Sequence, residues 1–107
     1  MTTAKFFLRE NSIRGFEISG HSGYAPEGED IVCSAVSSAA IMAANIITTS
    51  FDEHADVKSE DGYLRLMLSG ESAECEAVLE GLKYHLTNIS KQYPQFIKII
   101  FGGVKNA

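Results

Sequence analysis

The chain is 107 residues long, 45% apolar and 21% charged, with nine Lys and Arg against fourteen Asp and Glu for a net charge of -5. That is one domain's length with apolar material enough for a core, which excludes a disordered tail, a collagen-like repeat and a coiled coil. The bases (Lys5, Arg9, Arg14, Lys58, Arg65, Lys83, Lys91, Lys98, Lys105) are scattered, so direct nucleic-acid binding is not expected and a basic partner suits the chain better.

Lys5 to Arg9 reads as a short strand around Phe6, Phe7 and Leu8, and Glu10-Asn11-Ser12 supplies turn residues. Ile13 to Ser19 follows as a second strand, with Phe16 and Ile18 on one face and Glu17 and Ser19 on the other, completing a hairpin. Gly20, Gly23, Pro26 and Gly28 then mark a loop that is expected to be mobile. Ile31 to about Phe51 reads as a helix apolar on most sides, and so packed on more than one face, with Asp30 placed to cap it. Two strands, Val57 to Glu60 and Tyr63 to Leu68, flank Asp61-Gly62, the dipeptide of type I′ hairpin turns.

A second helix runs from about Ser72 to Tyr93. Its apolar stripe is Cys75, Val78, Leu79, Leu82, Leu86 and Ile89, and Pro94 ends it. Phe96 to Phe101 is nearly continuous apolar sequence, as in a strand covered on both faces. The fold class is α+β: a sandwich of a roughly five-stranded sheet with two helices, order ββαββαβ, in a single domain over residues 1–107.

The segment from Gly20 to Ser37 is where generic patterning stops. With Asp30 as the cap, Cys33 falls on the third helical position, facing free amides and the positive end of the helix dipole, both of which favour thiolate. The same amides suit a developing oxyanion. His21, twelve residues earlier across the Gly-rich loop, could fold back as general base and later as acid. Ser37 lies one turn after Cys33 on the same face. Ser22, Gly23, Tyr24 and Gly28 belong to the loop that would admit a peptide.

Each residue also has a plainer role. Cys33 could be a small buried hydrophobe, His21 a loop histidine bonded to backbone, Ser37 a small residue permitting close helix packing and Tyr24 ordinary loop cover. Cys75, on the apolar stripe, is read as core, and His54 and His85 as surface. No third ligand stands beside His21 and Cys33 at metal spacing and no phosphate loop is present, so neither metal nor cofactor is expected. The first residues lack the pattern of a secretory signal, and Ile31 to Ile47, interrupted by Ser34, Ser37, Ser38 and Asn45, looks too short and polar to cross a membrane comfortably. Reduced thiols and a cytoplasmic location follow as expectations.

Gly20-His21-Ser22-Gly23-Tyr24-Ala25, Gly28 and Asp30-Ile31-Val32-Cys33-Ser34-Ala35-Val36-Ser37 together resemble the signature of the ribosomal-processing cysteine protease Prp family. The matching core covers about a fifth of the chain. The resemblance implies a His21–Cys33 catalytic dyad with Asp30 and Ser37 in support, in a small cytoplasmic homodimer. It implies as substrate large-subunit ribosomal protein twenty-seven, from which a short N-terminal extension is removed. An acidic entrance at Glu27, Glu29 and Asp30 agrees with a basic protein substrate. A non-catalytic ribosome-associated module and a thiol hydrolase of small acyl compounds are the alternatives.

Overall fold

A computed structural model describes residues 1–20 and 29–103. The elements are β1 (Thr2–Arg9), β2 (Ser12–Ser19), α1 (Glu29–Asn45) with a π-helical extension (Ile46–Ser50), β3 (Ala55–Glu60), β4 (Tyr63–Leu68), α2 (Ala73–Gln92) and β5 (Ile97–Gly103). This is the expected order. The sheet is mixed, in the order β3-β4-β2-β1-β5, with β5 parallel to β1 and every other pair antiparallel.

Alternation along the strands decides which face is buried. Val57, Leu66, Phe16, Phe6 and Phe101 pair in turn across all five strands, forming one apolar row on the helix-facing side. Phe6, Phe16 and Leu66 in its middle are fully buried. The next row, Ser59, Leu64, Ile18, Ala4 and Ile99, runs beside it toward the Gly20 end of β2. The helices close the core with Val32, Val36, Ala40, Ala43 and Ile47 from one, and Cys75, Leu79, Leu82 and Leu86 from the other. Side chains three and four residues apart share a helix face, so these spacings give each helix a single buried stripe.

Several expectations change. The segment 97–103 is an edge strand, hydrogen-bonded only to β1, with Phe101 exposed and Ile97 buried, so it is not covered on both faces. The first helix packs on the sheet and beside α2 and leaves its remaining side open, with Ile31, Ile41 and Met42 exposed, so it is not apolar-covered on most sides. The Asp61-Gly62 turn is not type I′, which needs positive φ at both residues. Only Gly62, at φ 73°, has it.

The first helix also begins at Glu29, so Asp30 is its second residue rather than its cap. Its C-terminal end widens where the Phe51 amide reaches back five residues to the Ile46 carbonyl, and Thr48 donates its hydroxyl to the Ala44 carbonyl at 2.9 Å. By length and composition, 31–50 is apolar enough to cross a bilayer after all, with a mean hydropathy of 1.8. Here it packs its Val32–Val36–Ala40 stripe on the sheet.

The second helix matches its sequence signals closely. The Ser72 hydroxyl accepts from the Cys75 amide at 3.2 Å, and Tyr93 follows the last helical residue. In β2, a bulge leaves Arg14 outside the strand register. The buried Arg14 side chain donates to the Gly70 carbonyl at 2.7 Å, tying the strand to the approach of α2.

Candidate active site

Cys33, Ser37, Ala40 and Ile41 stand on one face of α1 at intervals of four, three and one residues, and together they form one wall of a cleft of about 230 Å³. Ile18 and Gly20 at the end of β2 contribute its floor. The opposite wall is the tip of the β3–β4 hairpin, Ser59 to Leu64. Apolar side chains therefore lie deep in the cleft while Cys33, Ser37, Ser59, Glu60 and Asp61 supply its polar groups.

Local chemistry explains each wall. Helical side chains lean toward the N-terminus of their helix, so the Cys33 thiol lies over the first turn of α1 even though Cys33 is the fifth helical residue and not the third. Cys33 is half-buried, whereas Cys75 is fully buried beneath α2, and both are free thiols. Gly20 closes β2 with φ 96°, and a Cβ there would stand 2.3 Å from the Met1 carbonyl oxygen. Only glycine combines that backbone angle with that approach, so β2 is closed at a fixed point beside the cleft.

Of the residues singled out from sequence, Cys33 and Ser37 are brought together in the cleft. Asp30 is in the first turn of the same helix. His21, Ser22, Gly23, Tyr24 and Gly28 lie outside the described residues. Cys75 is core, as expected from its stripe, and His54 and His85 are exposed. Among the described residues, no three His, Cys, Asp or Glu side chains stand together as a metal site.

The hairpin wall is what sequence reasoning missed. Asp61-Gly62 identifies a turn, but nothing local says that the turn faces Cys33. That proximity follows from the crossover that carries β4 alongside β2. In this wall the Tyr63 phenol donates to Glu17 Oε2 at 2.7 Å. Accepting that bond, Glu17 holds the Tyr63 phenol above its ordinary pKa, because ionisation would set two negative oxygens against each other.

The family model described as cysteine protease Prp matches residues 1–98, nearly the whole chain and every element of the cleft. The chain belongs to the Prp family of cysteine proteases. It is 28% identical over 98 residues to the ribosomal processing cysteine protease Prp of Bacillus subtilis (strain 168), covering 84% of this chain and 87% of that one. The fold is shared with SMU.848 from Streptococcus mutans at a TM-score of 0.85 and 25% identity, over 97% of this chain and 96% of the other. Prp from S. aureus, solved with a substrate peptide, superposes at a TM-score of 0.88 and 20% identity, over 94% of this chain and 99% of that one. Family membership makes the protein a cysteine protease, and among the described residues Cys33 is the one cysteine that reaches a cleft.

Proposed function

We propose that this Prp protease removes the short N-terminal extension of large-subunit ribosomal protein twenty-seven, with Cys33 as nucleophile and His21 as general base and then acid. The observation that carries the reading is the half-buried Cys33 opening into a cleft bounded by α1 and the β3–β4 hairpin. His21 takes the thiol proton as the sulfur attacks the scissile carbonyl. The tetrahedral oxyanion is stabilised by the start of α1, and collapse expels the amine, which His21 protonates. Water activated by His21 then releases the acyl group from sulfur. Ser37, one turn below Cys33, is placed to hydrogen-bond the thiol or the substrate main chain.

The S. aureus Prp structures, one with a substrate peptide and one with a covalently linked product peptide, support a peptide substrate and covalent chemistry. The acidic net charge suits a basic ribosomal protein, and we place the reaction in the cytoplasm, carried out by a homodimer. Mass spectrometry of the extended ribosomal protein after incubation with wild type and with Cys33→Ala tests the proposal. One discrete N-terminal cut by wild type and none by the variant is expected. An intact protein in both reactions would overturn the substrate, and cutting in both would overturn the nucleophile.

A further inference from the structure

The twenty residues 31–50 of α1 and its extension contain no Asp, Glu, Lys or Arg, yet only 33% of that stretch is buried. A helix side that meets water ordinarily bears charge. Here Ile31 is 67%, Met42 62% and Ile41 51% exposed. The exposed positions Ile31, Ala35, Ser38, Met42, Asn45 and Thr49 follow one another in alternating steps of four and three, the spacing of a seam where one helix meets another.

The stripe is also complementary to itself. Its large side chains, Ile41 and Met42, stand three and four residues after Ser38, and the small Ala35 and Ser34 stand three and four residues before it. A second helix turned antiparallel about a two-fold axis at Ser38 sets Met42 of each copy over Ser34 of the other, and Ile41 over Ala35. Large then meets small, and no like charges oppose the contact. At 1.5 Å per residue and about 10 Å across, the stripe presents about 300 Å². A groove of about 250 Å³ between α1 and α2 continues the same face, with Met42 and Ile46 on one lip and Val78, Gly81 and His85 on the other. The two helices together bring the face toward the roughly 800 Å² that each partner of a stable interface contributes. The basic substrate proposed above finds no carboxylate along 31–50, whereas a second copy fills the stripe.

Ile41 belongs both to this stripe and to the cleft wall it shares with Cys33 and Ser37. Whatever covers the stripe therefore also borders the cleft. We propose that a second copy of this chain docks antiparallel along this stripe of α1, about an axis at Ser38, and closes the solvent side of each cleft over Ile41. The inference rests on the reading of that cleft as the active site, and it gives the proposed homodimer its interface.

Light scattering after gel filtration and cleavage of the extended ribosomal protein compare wild type, Met42→Glu and Met42→Leu. Disulfide trapping uses Ser38→Cys and Thr49→Cys, each in a Cys33→Ala background. Wild type and Met42→Leu should be dimers. Met42→Glu sets a charge in the seam and is expected to weaken the dimer about thirtyfold, with cleavage about tenfold slower where it is monomeric. Its circular dichroism should match wild type, because Met42 is exposed. Ser38→Cys meets itself at the axis and should link under mild oxidation. The two Thr49→Cys thiols stand about 33 Å apart along the helices and should not. A monomeric wild type, no trapping through Ser38→Cys, or equal trapping through Thr49→Cys would overturn the interface. Monomeric Met42→Glu cutting at the wild-type rate would overturn the closure of the cleft. A monomeric wild type whose KM alone rises in Met42→Glu would give the stripe to the substrate instead. If wild type leaves the ribosomal protein uncut, the reading of the substrate fails, and scattering and trapping still decide the interface.

Discussion

Gly15→Ala puts one methyl group where the sheet has no room for it. Gly15 pairs with Met67 at the far end of the β2–β4 ladder, and a Cβ there would stand 2.1 Å from the Leu66 carbonyl oxygen, 2.6 Å from the Met67 sulfur and 3.0 Å from the Met67 Cα. Ordinary carbon–oxygen contact is about 3.3 Å, so the strands must part by about 1 Å or β2 must twist. A carbonyl of a fully buried residue cannot rotate aside, and the sulfur can. Overpacking costs about 1–3 kcal/mol where side chains can adjust, and a main-chain clash belongs at the upper end or beyond, at about 3 kcal/mol. Against a stability of about 5–15 kcal/mol, that is a large share.

Urea unfolding followed by circular dichroism measures the loss as a fall in midpoint at constant m-value. Gly81→Ala is the control, because the same methyl there meets nothing within 4 Å on the exposed side of α2. It should stabilise by about 0.5–1 kcal/mol through helix propensity alone. A Gly15→Ala loss under about 1 kcal/mol would refute the reasoning. So would full recovery in Gly15→Ala/Met67→Ala, which would assign the clash to the thioether instead of the carbonyl.

Iodoacetamide should modify Cys33 in the native protein and reach Cys75 only after unfolding, since Cys75 is fully buried; mass mapping that finds both labelled at equal rates would contradict the packing of α2. Ser72→Ala removes the acceptor of the Cys75 amide and should cost about 1 kcal/mol, read as a lowered melting temperature, while Ser69→Ala serves as the neutral neighbour. The stability gained from Tyr63 should depend on alkaline pH. Its folded pKa lies above the unfolded value, so the gain is complete below about pH 9 and is lost as pH rises through the folded pKa. The difference between wild type and Tyr63→Phe should therefore close in strongly alkaline buffer, and a constant difference from pH 8 to 11 would count against the Glu17 bond as its source.

The element order was readable because each signal is local. Alternation in 63–68 and Pro94 act within a few residues, and the structure places those elements within a residue or two of the reading. The Cys33–Ser37 spacing likewise needs only the helical repeat to put both side chains on one face. The covering expected for Phe96 to Phe101 is not found because an apolar run looks the same in a central strand and at an exposed edge. Hydrogen-bond partners from elsewhere in the chain decide between them.

The same limit separates the two halves of the cleft. Sequence alone determined the family and which cysteine belongs to the helix start, since motif and helical repeat are properties of contiguous residues. Only the tertiary structure decided that the β3–β4 hairpin faces Cys33 and that Tyr63 is anchored forty-six residues away on Glu17. That contact is specified by the order in which strands join the sheet, and strand order is set by the collective burial of the inward strand faces against two helices, which no window of sequence contains.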